Sequence, residues 1–219
     1  MTTRQLGIEV ERRLQTILPT LKLENKVDTE DIYAFLNQFQ KQYVDLAYRQ
    51  SAENFNGPIA TAIVEDILRV LTKSVTINGS STFTLPADYY HYIRSTSNIA
   101  SSYSDANRHS TLSNILLKQS DANAIIQQSY DKNRILRNPI AILKGNQLEV
   151  ISDSYTNISS IELTYIKLPA EFSILTNVDC ELPASCHEDL VAGAVDLYVR
   201  HLTATQPKQQ PKQREEDKQ

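Results

Sequence analysis

The 219-residue sequence lacks several residue types and patterns that mark common protein classes. It has no Trp, two Cys and five Gly, and the glycines are scattered along the chain. The phosphate-binding loops GxGxxG and GxxxxGK followed by Ser or Thr need clustered glycines, and neither occurs. The GxSxG nucleophile elbow of serine hydrolases is also absent. The sequence therefore argues against the familiar nucleotide-driven motors and against α/β-hydrolase chemistry.

The sequence also lacks a set of several cysteines, an excess of basic charge and long apolar runs. Cys180 and Cys186 are too few for a disulfide framework. No run approaches the roughly 18 to 20 apolar residues that span a membrane, and residues 1–13 lack the apolar core of a secretory signal. The formal net charge is −4, so bulk charge does not support a generally basic nucleic-acid-binding face. We expect a soluble product of a reducing cytoplasm.

Potential metal ligands come together once along the chain. Cys180, Cys186, His187 and Glu188 are close in sequence. Zinc sites place about two to four residues between paired ligands and need a second pair elsewhere. Here five residues separate the cysteines, and no second pair follows. We expect no metal and no cofactor, and we assign no catalytic residue because the acidic residues form no recognisable pair.

Four amphipathic segments predict helices. Apolar residues recur at steps of three and four over residues 2–18, 28–49, 58–71 and 183–205. Asp28 or Thr29 is a suitable N-cap for the second helix. The second and the last helix carry more apolar residues than one packing face needs. We therefore expect both to contact several neighbours, in the core or between subunits.

The middle of the chain predicts β-structure. Asn78-Gly79 and Gly145-Asn146 are each typical of a two-residue hairpin turn. Residues 159–168 alternate between apolar and polar side chains for most of their length and predict a strand. Together with the hairpin at Gly145-Asn146, this strand predicts a three-stranded antiparallel meander. Residues 95–120, rich in Ser and Asn from residue 99 onward, predict a long loop or insertion.

These elements define an α+β fold class. The order is N-terminal amphipathic helices, antiparallel β-hairpin and meander, and a long C-terminal helix. We expect one domain over residues 1–205. Residues 206–219 contain no apolar side chain and predict a disordered polar tail, because they cannot bury enough surface to offset the entropy of ordering.

The 11 tyrosines suggest contact surfaces. Tyrosine combines an apolar ring with a polar tip, which suits protein interfaces. The densest group follows Leu85-Pro86, and ordinary half-buried packing is the alternative explanation for it. The candidates for subunit or partner contact come from the tyrosines and from the two broad helices: Tyr43, Tyr48, Tyr89, Tyr90, Tyr92, Val191, Val195 and Tyr198.

Three passages resemble the head-to-tail connector, or ring, proteins of crAss-like tailed bacteriophages. They are the amphipathic start MTTRQLGIEVERRLQ, the segment FTLPADYYHYIR, and residues 139–202. The last passage combines a hairpin, a strand ending in Tyr-Ile-x-x-Pro, and a helix start of the form Leu-Pro-x-x-x-His. The resemblance covers about two thirds of the chain, and residues 99–120 lie outside it.

The resemblance implies a non-enzymatic virion protein at the phage head–tail junction, made in the bacterial host cytoplasm. Such proteins form a cyclic ring, commonly a dodecamer, beneath the portal protein and continue the DNA channel. The implied partners are further copies of the chain, the portal protein, adjacent ring or tail proteins, and DNA only in non-sequence-specific passage. Two alternatives stay open: a tail-completion or assembly-factor interaction module not retained at the portal, and an enzyme without a recognisable motif.

Overall fold

A computed structural model describes residues 1–17, 28–53, 58–79, 81–99, 111–122, 138–152, 157–175 and 179–205. The contacts group the chain into two compact units. We call Met1–Gly57 with Pro169–Gln219 the helical unit, and Pro58–Leu168 the β unit. The expectation of one domain over residues 1–205 stays a prediction. The predicted tail, residues 206–219, lies outside the described residues.

Four helices form where the apolar periodicity predicts them. They are α1 (Thr3–Ile17), α2 (Thr29–Glu53), α3 (Pro58–Leu71) and α4 (His187–Thr205). A short 3-10 turn, Ala184–Cys186, leads into α4. The first, second and fourth helices belong to the helical unit, and the third belongs to the β unit. None of the helices in the described ranges is long and apolar enough to cross a membrane.

Local hydrogen bonds begin α1 and α2. The Gln5 N–H donates to Thr2 Oγ1 at 3.3 Å, and the Thr2 N–H donates to Gln5 Oε1 at 3.0 Å. This reciprocal pair is a capping box. At α2, the Glu30 N–H donates to Asp28 Oδ1 at 3.0 Å, so Asp28 rather than Thr29 is the N-cap. Both pairs satisfy backbone donors that the first helical turn leaves without partners.

One apolar cluster joins the three helices of the helical unit. A segment that we call the strap, residues 169–175, adds Phe172 to it. The strap is fixed to α2 because the Asn37 side chain bonds both backbone groups of Phe172: Asn37 Nδ2 donates to the carbonyl at 2.9 Å, and the Phe172 N–H donates to Asn37 Oδ1 at 2.7 Å. The buried members of the cluster are Leu6, Val10, Leu14, Ile32, Tyr33, Leu36, Phe172, Val191, Ala194, Val195 and Tyr198.

The β unit contains eight described strands in two four-stranded sheets. They are β1 (Thr72–Asn78), β2 (Thr82–Thr84), β3 (Tyr89–Ile99), β4 (Thr111–Ser113), β5 (Ile115–Leu116), β6 (Ile140–Lys144), β7 (Gln147–Ile151) and β8 (Ile158–Lys167). The sheet orders are β1-β8-β3-β4 and β2-β7-β6-β5. Only the β5–β6 pair is parallel among these strands. An apolar cluster with members from both sheets forms the core, and α3 contacts β8. The α+β class is confirmed.

One of the two predicted hairpins forms. Lys144 pairs with Gln147 across a two-residue turn, and Gly145 has a φ of +57°. The prediction of a hairpin at Asn78-Gly79 is wrong, because β1 pairs with β8 in one sheet and β2 pairs with β7 in the other. Gly79 lacks the positive φ that a type I′ turn requires, and its N–H donates to the carbonyl of Ser159 at 3.2 Å.

The predicted meander is also wrong. Strand β8 follows β7 in sequence but pairs with β1 and β3 in the other sheet. The segment at residues 95–120 contains more strand than a loop would. Residues 95–99 belong to β3, and β4 and β5 lie within residues 111–116, while residues 100–110 are outside the described residues. Ser and Asn side chains here hydrogen-bond neighbouring strands, so their polarity does not mark a loop.

Candidate interaction surfaces

Two helices of the helical unit meet along a seam of aromatic residues. Phe35 of α2 packs edge-on against Tyr198 of α4, with ring centroids 5.5 Å apart and planes at 79°. One turn further along α2, the ring of Phe39 occupies the space that a β-carbon at Gly193 would fill. As the residue numbers on α2 increase, the numbers of their contact partners on α4 decrease. The two helices are therefore antiparallel. Gly193 permits their close approach.

Tyr43 continues this seam. Its hydroxyl donates to Asp189 Oδ2 at 3.0 Å. Burial raises the pKa of Tyr43 above its ordinary value, and the neighbouring Cys186 thiol and the Asp189 carboxylate raise it further. Tyr43 is therefore a stable protonated donor. The extra apolar residues of α2 are largely explained by α4, a contact within the same chain.

The other candidates on α4 are internal to the helical unit. Val191 is 1% exposed, and Val195 and Tyr198 are buried beside it in the shared cluster. On α2, Tyr48 is half-buried. These placements put most of the predicted contact residues of the two helices in the core or at its margin.

One apolar part of α2 remains at the surface. Leu46 is 53% exposed and lies in a groove of about 350 Å³ that also includes Phe39 and Tyr43. We call this the α2 groove. Its lining residues are Phe39, Gln42, Tyr43, Asp45, Leu46 and Arg49. An apolar floor with charged residues beside it is typical of a protein contact site.

A second depression of about 350 Å³ lies between α1, the start of α2 and the strap. We call it the α1–α2 cleft. Its lining residues are Arg4, Gly7, Ile8, Glu11, Thr29, Ile32, Tyr33, Ser173 and Ile174. Sequence reasoning missed this cleft because three separate segments build it. The available signal was Gly7 inside an amphipathic helix, where glycine costs about 1 kcal/mol relative to alanine.

The tyrosine group in the β unit does not form one surface. The Tyr92 hydroxyl is 3.0 Å from Ser95 Oγ, and the side chain is buried. Tyr89 packs against Tyr165, with ring centroids 5.7 Å apart. Tyr90 is half-buried beside His91. Bulges in the β3–β8 pairing interrupt simple alternation here, so neighbouring tyrosines have different surroundings.

A charged cluster holds the start of β3. Lys73 Nζ donates to Asp88 Oδ2 at 2.8 Å, and the Tyr165 hydroxyl donates to Asp88 Oδ1 at 2.7 Å. The Lys73 and Tyr165 hydrogen bonds lower the pKa of Asp88. The Leu168 N–H donates to the Asp88 carbonyl at 2.7 Å. Asp88 therefore ties together β1, the end of β8 and the turn before β3, which is a structural role.

The sequence-adjacent group of potential metal ligands has other contacts. His187 Nδ1 accepts from the amino group of Met1 at 3.2 Å, and Nε2 donates to the Leu182 carbonyl at 3.2 Å. Burial lowers the pKa of His187, which favours the neutral ring. Cys186 is buried, and Cys180 is half-buried. Within the described ranges, no three His, Cys, Asp or Glu side chains converge as a metal site would require.

Comparison with known proteins gives no family assignment. The chain matches no protein-family model, and no curated protein matches its sequence.

Proposed function

We propose that this protein is a non-enzymatic structural protein of a tailed bacteriophage, assembled as a closed ring beneath the portal at the head–tail junction. The sequence resemblance suggests this class. The observation that carries the proposal is the α2 groove, where Leu46 stays more than half exposed beside the rings of Phe39 and Tyr43. Covering apolar surface in water contributes about 25 cal/mol per Å², so this groove favours a protein contact.

A ring contact joins two different surfaces of neighbouring copies. The α2 groove is one candidate surface. The β unit offers another, because β5 is the last described strand of its sheet and both its side chains are exposed. Leu143 on the adjacent strand β6 is exposed as well. Apolar edge strands invite pairing with other chains unless they are covered.

The charge balance agrees with a DNA channel. Duplex DNA carries about one negative charge per 1.7 Å of its axis and binds basic surfaces strongly. A chain with a net charge of −4 makes a wall past which DNA slides without being held. We expect no salt-sensitive binding of free DNA.

The first test measures assembly of the protein on the portal. The purified protein is mixed with its portal partner, and the mass of the complex is measured for wild type, Leu46→Glu and the control Gln38→Glu, an exposed position on the same helix. Wild type and Gln38→Glu should form a cyclic complex on the portal, and Leu46→Glu should lose it while keeping its circular dichroism spectrum.

The second test, on purified virions, distinguishes the ring from the alternatives. A reconstruction should show the protein on the head–tail axis with cyclic symmetry. Its absence from purified virions by mass spectrometry would instead favour a transient assembly factor. An acyclic position in the virion would also overturn the ring.

A further inference from the structure

We infer that the α1–α2 cleft binds a short peptide segment of a partner protein that carries a carboxylate next to an aliphatic side chain. This inference goes beyond the proposed ring and does not rest on it. The volume of about 350 Å³ is at the lower end of ligand pockets, which span about 300–1,000 Å³. The cleft therefore suits a few residues of chain.

Isoleucine side chains supply the apolar part of the cleft. Ile32 is buried, while Ile8 is 56% exposed and Ile174 is 53% exposed. The strap presents Ile174 in a fixed position because Asn37 holds the backbone of Phe172 two residues earlier. Covering the two exposed isoleucines favours an aliphatic ligand side chain.

Arg4 and Tyr33 contribute hydrogen-bond donors to the cleft lining. Tyr33 is 8% exposed, and its hydroxyl has no hydrogen-bond partner among the described residues. A β-carbon at Gly7 would lie 2.8 Å from this hydroxyl oxygen, so the glycine leaves the space in which the hydroxyl stands. The Arg4 guanidinium likewise has no ion-pair partner in the described part of the chain. A hydroxyl and a cation without partners among the described residues both favour an oxygen acceptor.

Two acceptors of the cleft lining each have a partner within the chain. Glu11 Oε1 accepts from Gln15 Nε2 at 3.2 Å. Ser173 Oγ accepts from the Leu175 N–H at 3.2 Å, which leaves its O–H free to donate. Glu11 lies seven residues from Arg4, about 10 Å along the helix axis, so a ligand carboxylate at Arg4 is separated from that negative charge. The charge complement of the Arg4 end of the cleft is therefore a ligand carboxylate.

Isoleucine methyl NMR tests this site directly. The probes are two N-acetylated, C-amidated tetrapeptides, Leu-Glu-Leu-Leu and Leu-Gln-Leu-Leu, titrated into the full chain labelled at isoleucine methyl groups. We expect shifts at Ile8, Ile32 and Ile174, and binding of the glutamate peptide at least about fivefold tighter than the glutamine peptide. A fivefold preference corresponds to a charge-assisted contact of about 1 kcal/mol.

Two variants separate binding from folding. Arg4→Gln should abolish the preference for the glutamate peptide, while the control Arg12→Gln should keep it, because Arg12 lies outside the cleft and pairs with Glu9. Tyr33→Phe should weaken both peptides severalfold without lowering the melting temperature, because the structure gives the hydroxyl no partner within the described ranges. A purely structural Tyr33 would lower stability and leave peptide binding intact.

Three outcomes of the peptide titration would overturn the inference. They are no methyl shift at millimolar peptide, shifts confined to other isoleucines, or equal affinity for the two peptides. Deletion of residues 206–219, which include Glu215, Glu216 and Asp217, should leave the affinity unchanged. A marked rise in affinity on deletion would identify this segment of the chain itself as the occupant and refute a partner peptide.

Discussion

The helical unit and the β unit bury different chemistry. The shared cluster of the helical unit is formed by apolar and aromatic side chains, and the adjacent buried Gln40 has a side-chain nitrogen without a partner among the described residues. The β unit also has an apolar cluster, but it buries Ser95, Ser97 and Asn114 in a connected network. Buried residues can therefore specify a structure in two ways. In the helical unit they do so through the packing of apolar side chains, and in the β unit also through hydrogen bonds between buried polar side chains.

The network of the β unit is tightly paired. Asn114 Nδ2 donates to Ser95 Oγ at 2.9 Å, and Ser97 Oγ donates to Asn114 Oδ1 at 2.6 Å. The Tyr92 hydroxyl is 3.0 Å from Ser95 Oγ, and the Asn114 N–H donates to the Ser95 carbonyl at 2.9 Å. The residue that follows β4 is thus fixed to β3. Satisfied buried networks specify one arrangement, while partly satisfied ones are costly.

A buried charge on α4 should have the largest effect. Val191→Asp places a carboxylate where the side chain is 1% exposed, and we expect a loss of more than about 4 kcal/mol in the free energy of unfolding. The matched control is Leu197→Asp on the same helix, where the side chain is half-buried and the carboxylate can reach water. Urea unfolding followed by circular dichroism measures both. Equal losses of stability would show that the Val191 side chain is no more deeply buried than that of Leu197.

This pair also shows how far the sequence predicts the helical unit. The three- and four-residue spacing locates α1, α2 and α4, and the N-cap candidates Asp28 and Thr29 mark the start of α2, because these signals are local. The spacing places both Val191 and Leu197 on the apolar face of α4, however, and it does not say how deeply neighbouring residues bury each side chain. The α1–α2 cleft depends on the approach of α1, α2 and the strap, so no short motif contains it.

The β unit was harder to predict for a related reason. Gly145-Asn146 fixes a hairpin locally, because the turn and both strands are contiguous. Asn78-Gly79 has the same turn composition, but non-local pairing of β1 with β8 and of β2 with β7 determines the structure there. The Ser- and Asn-rich segment has the composition of a loop. The hydrogen bonds of Asn114 to Ser95 and Ser97 join residues that are far apart in sequence, so the sequence pattern does not reveal them.

Removing one amide should have an intermediate effect, confined to the β unit. Asn114→Ala leaves the Ser97 hydroxyl without its partner in a buried site, and we expect a loss of about 2 kcal/mol. Ser113→Ala, an exposed position on β4, is the control and should change stability by less than about 0.5 kcal/mol. Adding Ser97→Ala to Asn114→Ala should recover part of the loss, because it removes the unpaired hydroxyl. A fully additive double variant would mean that the two side chains are not coupled.

The smallest effect should have the opposite sign and lie in the helical unit. Gln40 is 1% exposed, and its Nε2 has no hydrogen-bond partner in the described part of the chain. An unpaired buried amide nitrogen loses its hydration without compensation, whereas methionine has a similar length and no donor to satisfy. Gln40→Met should therefore raise the free energy of unfolding by about 1 kcal/mol, measured by urea unfolding. The control Gln38→Met changes an exposed residue on the same helix and should leave stability nearly unchanged. If Gln40→Met instead destabilises the protein as Asn114→Ala does, Gln40 belongs to a satisfied network, and the contrast between the two units fails.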